Sequence, residues 1–256
     1  MGYSEWRRRR ILKRLRIAEA AWQEAFSHSP LLHGLSDEEL ARLRDLAILF
    51  LHRKKIEGAA GLTLTDTIRV TIALQACLPI LNLGLDWYAG WTSVILYPAG
   101  FIPDREYTDD AGIVHKERHA LSGESWLRGP VILSWEDVVP EEASLGYNLV
   151  IHELAHKLDM LDGDANGLPP LHRDMSVKAW AEAFSQAYTD FRERVDHGEA
   201  TTIDPYGAEH PGEFFAVLSE LFFACPRVIE ETYPAVYRQL SAFYRQDPVG
   251  RESRSS

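Results

Sequence analysis

The stretch YNLVIHELAHKLD, residues 147–159, contains two histidines four positions apart, with a glutamate directly after the first. On an α-helix this spacing places His152 and His156 on one face, a single turn apart. Two imidazoles in that arrangement can share one Zn²⁺ ion, with bonds of about 2.0–2.1 Å. Glu153 then lies beside the ion, where it can take a proton from a water molecule and hand it to a leaving amine. The pattern predicts hydrolysis at a zinc site.

The residues around the motif bear on the alternative, an ordinary core helix whose two histidines are held by hydrogen bonds. Apolar side chains recur at helical spacing, which gives the helix a buried side and a ligand side: Leu149, Val150, Leu154, Ala155 and Leu158. Because histidine and glutamate are uncommon in fully buried positions, two imidazoles and an acid on such a helix favour the metal site.

A catalytic zinc site needs a third protein ligand, and one candidate lies close to the motif. Asp162 follows His156 by six residues, the position that the third ligand takes in metzincin-type sites. Those sites have a glycine three residues after the second histidine, whereas this chain has Asp159 there, so the required turn is poorly supported. Asp159 could instead orient an imidazole, or interact with Lys157 or solvent.

The other candidate region is the apolar stretch PGEFFAVLSELFFACP, residues 211–226, with Glu213 and Glu220 on one face of a helix. Burying a carboxylate without a partner costs on the order of several kcal/mol, and a zinc ion would be such a partner. The helix dipole is another explanation for Glu213, and Glu220 could accept a hydrogen bond from a ligand histidine. Spacing favours this helix over Asp162 without choosing between its two acids.

Helical patterns dominate the chain on both sides of a β-rich middle section. Apolar periodicity, the capping box from Ser36 to Glu39, and Pro79 predict helices over residues 5–26, 36–54 and 66–78. The runs TSVILYP and GPVILSW, at residues 92–98 and 129–135, predict strands. Further helices are predicted over residues 141–160, 176–196, 211–224 and 233–245. Since strands do not alternate with helices, we expect a mainly helical α+β fold with a small mixed sheet beside the motif helix.

The 256 residues carry a formal net charge of −11, which argues against nucleic-acid binding by the body of the fold. No linker or repeat divides the chain, so we expect a single domain over residues 1–256. Residues 1–25 form a basic helical extension in this interpretation, and residues 248–256 a flexible tail. The extension could contact an acidic partner, a membrane surface or nucleic acid, or be a solvated amphipathic helix.

The two cysteines and the apolar segments indicate in which cellular compartment the protein is expected. Cys77 and Cys225 lie in apolar runs and do not make a disulfide framework. No secretory signal is recognisable, and no window approaches the roughly 18–20 apolar residues of a membrane span. We therefore expect a cytoplasmic protein without a membrane span.

Four segments of the sequence resemble the Mlc titration factor A family of zinc peptidases: IHELAHKLD, HPGEFFAVLSELFF, GPVILSW and SVILYPAGF. The similarity runs from SPLLHGLSDEE to FYRQDP and covers about four fifths of the chain, without the basic N-terminal segment. The resemblance implies a zincin-like fold and a gluzincin-type site, with His152, His156 and Glu213 as zinc ligands and Glu153 as general base. It also implies a cytoplasmic aminopeptidase acting on small peptide-like substrates, with a glucose-responsive transcriptional repressor as partner.

Several further residues have a functional and an ordinary interpretation. Tyr206, seven residues before Glu213, could donate a hydrogen bond to the oxyanion, as the resemblance suggests, or be a surface tyrosine. His210 could also stabilise an oxyanion or be an exposed loop histidine. By analogy with zincins, GPVILSW could be an edge strand that binds extended peptide; the alternative is an interior strand. His115 and His119 are expected to be surface residues of a polar loop.

These observations predict a zinc-dependent peptidase that needs one Zn²⁺ per chain and acts on peptide substrates, and the resemblance implies an aminopeptidase. Its site would consist of His152, His156, Glu213, Glu153 and Tyr206. One alternative is a regulatory binding protein that sequesters a transcriptional repressor, with the metal site secondary. Another is a structural zinc site closed by a fourth ligand such as Asp162.

Overall fold

The computed structural model describes residues 3–14, 17–99, 105–108, 114–117, 123–125, 129–139 and 146–252. Its helices are α1 (Tyr3–Arg14), α2 (Glu19–Ser27), α3 (Asp37–Arg53), α4 (Asp66–Cys77), α5 (Trp135–Val138), α6 (Leu149–Asp159), α7 (Val177–Asp196), α8 (Pro211–Ala224), α9 (Pro226–Thr232), α10 (Pro234–Tyr244) and α11 (Pro248–Glu252). Its strands are β1 (Lys55–Gly58), β2 (Ser93–Tyr97), β3 (Arg105–Thr108), β4 (Val114–Glu117), β5 (Gly123–Ser125) and β6 (Val131–Ser134). This composition confirms the expected α+β class, with helices predominating.

Two helices in the N-terminal third, α3 and α4, begin and end within one residue of the predicted bounds. Ser36 caps α3: its side chain accepts the backbone N–H of Glu39, and the Glu39 carboxylate accepts the N–H of Ser36. Thr65 caps α4 by accepting the N–H of Ile68. These reciprocal or single side-chain bonds satisfy N–H groups that the first helical turn leaves without a partner.

The prediction of one helix over residues 5–26 is wrong in one respect, because this segment forms two helices, α1 and α2. Ala18 has an extended conformation, with φ −57° and ψ 136°, so the helix starts again at Glu19. The change of direction allows α1 to pack on α3 while α2 packs on α4. It also buries Trp22 in the core.

The helix predicted over residues 141–160 starts later, at Leu149, in the described part of this segment. Gly146 has a φ of +90°, and Asn148 has an extended conformation and caps α6 by accepting the N–H of Ile151 at 2.8 Å. At the other end of the chain, residues 248–252 form α11 where a flexible tail is predicted. Arg251 is buried and donates to Gln246, which holds this turn against the fold.

The main sheet is mixed, as expected, and has the order β1-β2-β6-β5. Strands β1, β2 and β6 are parallel, and β5 is antiparallel to β6. The idea that residues 129–135 form an edge strand is wrong, because β6 pairs on both sides. Among the described strands, β5 is the edge strand on that side, and it lies against α6. Val131 and Leu133 of β6 are buried, which fits an interior position.

Two further expectations concern residues near the sheet and the cysteines. His115 lies in β4, which pairs with β3 in a separate antiparallel ribbon, and not in the polar loop that the sequence suggests. His119 is outside the described residues. Cys77 is buried and Cys225 half-buried, and the two do not form a disulfide with each other. Within the described ranges, no helix is long and apolar enough to cross a bilayer.

The core forms one cluster of buried side chains that extends from Trp22 to Tyr244. Helix α8 lies at its centre and packs along α6, and its residues from Phe214 to Phe223 are all buried. Burial of one such aromatic or aliphatic side chain contributes about 1.5–3 kcal/mol. The packing of these two helices brings the beginning of α8 next to the histidines of α6.

Candidate metal centre

The site is formed by α6 and the first turn of α8. His152 and His156 lie one turn apart on α6, with imidazole centroids 4.9 Å apart. Glu213 lies in the first turn of α8, two residues after Pro211, with which the helix begins. His210 caps this helix by accepting the N–H of Gly212 at its Nδ1 atom, so the structure gives His210 a local role in the backbone.

Three side-chain atoms converge at this point. Nε2 of His152 is 3.2 Å from Nε2 of His156, and Oε2 of Glu213 is 3.1 Å from the first nitrogen and 3.2 Å from the second. Tetrahedral coordination with bonds of about 2.0–2.1 Å places neighbouring ligand atoms about 3.3 Å apart. Two nitrogens and a carboxylate oxygen at these separations fit three corners around one cation. Among the described residues, these three form the cluster suited to hold a metal.

The candidate ligands that spacing leaves open lie in different places. Glu220 is buried behind the imidazole of His152, with Oε1 2.7 Å from Nδ1, on the side away from the converging Nε2 atoms. Asp162 is exposed and does not belong to the cluster. The geometry therefore brings Glu213, and neither of the other two carboxylates, to the two Nε2 atoms.

The surroundings shift the pKa values of the acids. Although burial opposes ionisation of Glu213, its contacts with His152 and His156 hold its pKa well below the usual range, so it is a carboxylate. Burial raises the pKa of Glu153 to about 7. Its Oε2 atom is buried and has no hydrogen-bond partner in the described part of the chain. A carboxyl group with this pKa can accept and release a proton at neutral pH.

Tyr206 lies in the 3₁₀ turn Pro205–Ala208, close to the histidines. Its ring centroid is 6.1 Å from that of His152, and 44% of the residue is exposed. Burial and the neighbouring carboxylates raise the pKa of the phenol to about 12, so it keeps its proton and can donate a hydrogen bond. Tyr206 is therefore partly exposed, as a surface tyrosine would be, and also lies near the histidines, as a residue of the site would.

Lys157 is a residue near the site for which sequence reasoning predicts no function. It is buried, and its Nζ atom donates to the carbonyl oxygen of Gly129 at 3.0 Å. Its charge also lowers the pKa of Glu153, one helical turn away. In the sequence, Lys157 follows Glu153 by four positions, which places both side chains on one face of a helix. Because lysines are usually exposed, this spacing alone does not predict that Lys157 is buried.

A model of the family described as "Glucose-regulated metallo-peptidase M90" matches residues 3–245. The chain belongs to this family. It is 42% identical to Mlc titration factor A of Klebsiella pneumoniae subsp. pneumoniae over 236 residues, 91% of this chain and 89% of the relative. The protein of the same name from Salmonella arizonae is 44% identical over 239 residues, 91% of this chain and 94% of the relative. The family is one of metallopeptidases, which implies a metal, and the cluster of His152, His156 and Glu213 is compatible with one.

Proposed function

We propose that the chain is a zinc-dependent peptidase, in which His152, His156 and Glu213 hold Zn²⁺ and Glu153 is the general base. The observation that supports this most is the convergence of two imidazole nitrogens and one carboxylate oxygen at 3.1–3.2 Å, next to a buried acid with a raised pKa. Nitrogen and carboxylate ligands of this kind are typical of catalytic zinc sites. When bound, Zn²⁺ would polarise the scissile carbonyl and make a water molecule more acidic.

The protein side chains provide the proton transfers and the hydrogen bonds. Glu153 takes the proton of the attacking water on its carboxylate and then donates it to the leaving amine. Tyr206 keeps its phenolic proton at neutral pH and can donate it in a hydrogen bond to the carbonyl oxygen as negative charge develops there. Buried Lys157, held by the carbonyl of Gly129, keeps positive charge near Glu153.

The peptide would bind in extended form along β5. This strand is antiparallel to β6 and lies against α6, so a substrate strand added at its outer edge passes over the motif helix. Backbone hydrogen bonds along an edge strand recognise a peptide without selecting its side chains, which suits a peptidase that accepts varied sequences.

Cleavage next to a free N-terminus, the aminopeptidase reaction, is implied by the family resemblance. The first substrates to test are therefore peptides and aminoacyl compounds with a free α-ammonium group.

The deciding experiment compares the wild-type protein with Glu153→Gln on fluorogenic aminoacyl substrates and on their N-acetylated forms. Glu153→Gln should keep its zinc but lose hydrolysis by about 10²- to 10⁴-fold, because the amide cannot accept the proton. Glu209→Gln, the same change at an exposed position near Tyr206, is the matched control and should remain active. Unchanged turnover by Glu153→Gln would remove Glu153 from the mechanism, and equal cleavage of acetylated substrates would exclude the preference for a free N-terminus.

A second function is suggested by the name of the relatives, Mlc titration factor A. We propose that this chain also binds a transcriptional repressor of the Mlc type, in the cytoplasm, as the family resemblance implies. The Glu153→Gln variant separates the two functions, since it should bind purified repressor as wild type does. Failure of the wild-type protein to bind in a pull-down with purified components would exclude this second function.

A further inference from the structure

The two ligand imidazoles are not held in the same way. On the side away from the converging atoms, Nδ1 of His152 is paired with Glu220 at 2.7 Å. The corresponding Nδ1 atom of His156 is buried and has no hydrogen-bond partner among the residues that the structure describes. A buried polar atom without a partner costs about 1–3 kcal/mol, so this nitrogen requires an explanation.

Asp159, three residues after His156 on α6, is completely buried, and one of its carboxylate oxygens likewise lacks a hydrogen-bond partner among the described residues. Its Oδ1 atom has no hydrogen-bond partner in the described ranges, and its charge interacts with His156. Residues three apart on a helix lie on the same face. A hydrogen bond from Nδ1 of His156 to Oδ1 of Asp159 would therefore satisfy both atoms. It would also fix the imidazole tautomer that leaves Nε2 free for a metal.

The other oxygen of Asp159 holds a loop. Oδ2 accepts the backbone N–H of Gly167 at 2.7 Å, and the carbonyl of Gly167 accepts the indole N–H of Trp180 at 2.9 Å. Gly167 has a φ of +80°, and a Cβ atom there would lie 2.6 Å from the carbonyl oxygen of Pro211. The loop is therefore fixed by hydrogen bonds from two sides and packed closely against the residue that begins α8.

A second close approach lies one residue further along α8. A Cβ atom on Gly212 would be 2.9 Å from the carbonyl oxygen of Ala165, so the backbones of the loop and of the α8 N-terminus are in contact there too. Glu213 follows directly. Through this loop, Asp159 is connected to the position of the carboxylate that approaches the two histidines.

We propose that Asp159 is a positioning residue that sets two of the three metal ligands relative to each other. One oxygen orients His156, and the other holds the loop of residues 165–168 against the first turn of α8, which carries Glu213. This role rests on the proposed metal site, although it does not depend on which reaction the metal serves. It predicts that Asp159 raises the affinity for the metal without contacting it.

The test is the metal affinity of Asp159→Asn, measured with Zn²⁺ in competition with a chromophoric chelator. An asparagine oxygen can still accept the N–H of Gly167, but its amide N–H₂ group would face Nδ1–H of His156, so affinity should fall about 10- to 100-fold. Replacing zinc by Co²⁺ gives an absorption band that reports ligand geometry, and this band should shift. Asp162→Asn, the same change at an exposed residue of the following segment, should have wild-type affinity and spectrum.

Gly167→Ala tests the loop separately, because it leaves His156 and Asp159 unchanged. The added methyl group meets Pro211 at a backbone conformation that favours glycine, so metal affinity should fall here as well. Thermal unfolding of each metal-free variant shows whether it is folded; if Asp159→Asn is not, Gly167→Ala decides. Wild-type affinity in a folded Asp159→Asn, or in a folded Gly167→Ala, would overturn the proposal. Zinc binding without peptidase activity in the wild type would contradict the proposed function and leave this inference intact.

Discussion

Glu220 lies behind His152, with its Oε1 atom 2.7 Å from Nδ1 of the imidazole, while its Oε2 atom accepts the backbone N–H of Asn148. The carboxylate is almost fully buried in α8. It therefore connects three parts of the molecule: the first histidine of the motif, the residue that caps α6, and the helix that also carries Glu213.

Glu220→Gln should weaken both metal binding and folding. A glutamine has one acceptor oxygen, so either His152 or the N–H of Asn148 loses its partner. We expect metal affinity to fall about 10- to 100-fold, as for other groups that orient ligand histidines, and the free energy of unfolding by about 1–3 kcal/mol. Chelator competition and urea unfolding measure the two effects. Glu231→Gln, an exposed position on α9, is the control and should change neither.

Tyr206→Phe should lower kcat about 10²- to 10³-fold with little change in KM, because the phenol is expected to donate its hydrogen bond as charge develops on the carbonyl oxygen. Metal content and thermal stability should stay at wild-type values, since the side chain is half exposed. Tyr188→Phe removes a different phenol, which donates to the carbonyl of Ala208 in the same turn, and serves as the control. Equal kcat for Tyr206→Phe and wild type would show that Tyr206 does not act in the reaction.

Lys54 should make stability depend on pH in the alkaline range. Burial lowers its pKa from 10.5 to about 8, although its ammonium group donates to the carbonyl oxygens of Tyr88 and Trp91. Between these pKa values the unfolded chain binds more protons at this residue than the folded chain. The free energy of unfolding should therefore rise with pH.

The comparison of wild type with Lys54→Met isolates this contribution. Between pH 7.5 and pH 10, the unfolding free energy of the wild type should increase by about 2 kcal/mol relative to that of the variant. Urea unfolding at several pH values measures the difference. Lys178→Met, an exposed lysine on α7, should run parallel to wild type. Parallel curves for Lys54→Met would mean that Lys54 titrates as in the unfolded chain.

Removing residues 1–16 should leave the metal site intact. This deletion takes away α1, whose Ile11 and Leu12 are partly buried against the core, and the exposed ion pair of Arg8 with Asp45. Such a pair contributes about 0–1 kcal/mol, so most of an expected loss of about 1–3 kcal/mol comes from the two apolar side chains. Zinc affinity and peptide turnover should be unchanged. Loss of either would show that the basic segment belongs to the functional part of the molecule.

The sequence predicts best what depends on neighbours along the chain. The four-residue spacing of His152 and His156 and the capping box of α3 are local, and the structure has both. The choice between Glu213 and Glu220 is not local, because both lie on one face of α8 and only the packing against α6 shows which of them reaches the Nε2 atoms.

Strand β5 shows the same limit in the sheet. Its three residues, Gly123–Ser125, have neither hydrophobic alternation nor β-branched side chains, so nothing in them predicts a strand. It is formed by pairing with β6, whose residues lie six to ten positions further along the chain, so the strand depends on its partner and not on its own side chains. The extended backbone at Ala18, which divides the first predicted helix, likewise follows from packing of α1 and α2 on different helices and has no proline or glycine to indicate it.

The separation of His156 and Glu213 by 57 positions has a consequence for biosynthesis. A ribosome makes the two histidines and Glu153 well before it reaches the third carboxylate, and domains fold as units once their chain has emerged. A nascent chain that has reached only α7 thus has the base and two imidazoles but lacks the acid that completes the donor set. If the proposed function holds, the capacity to cleave peptides would arise only after most of the chain has been made.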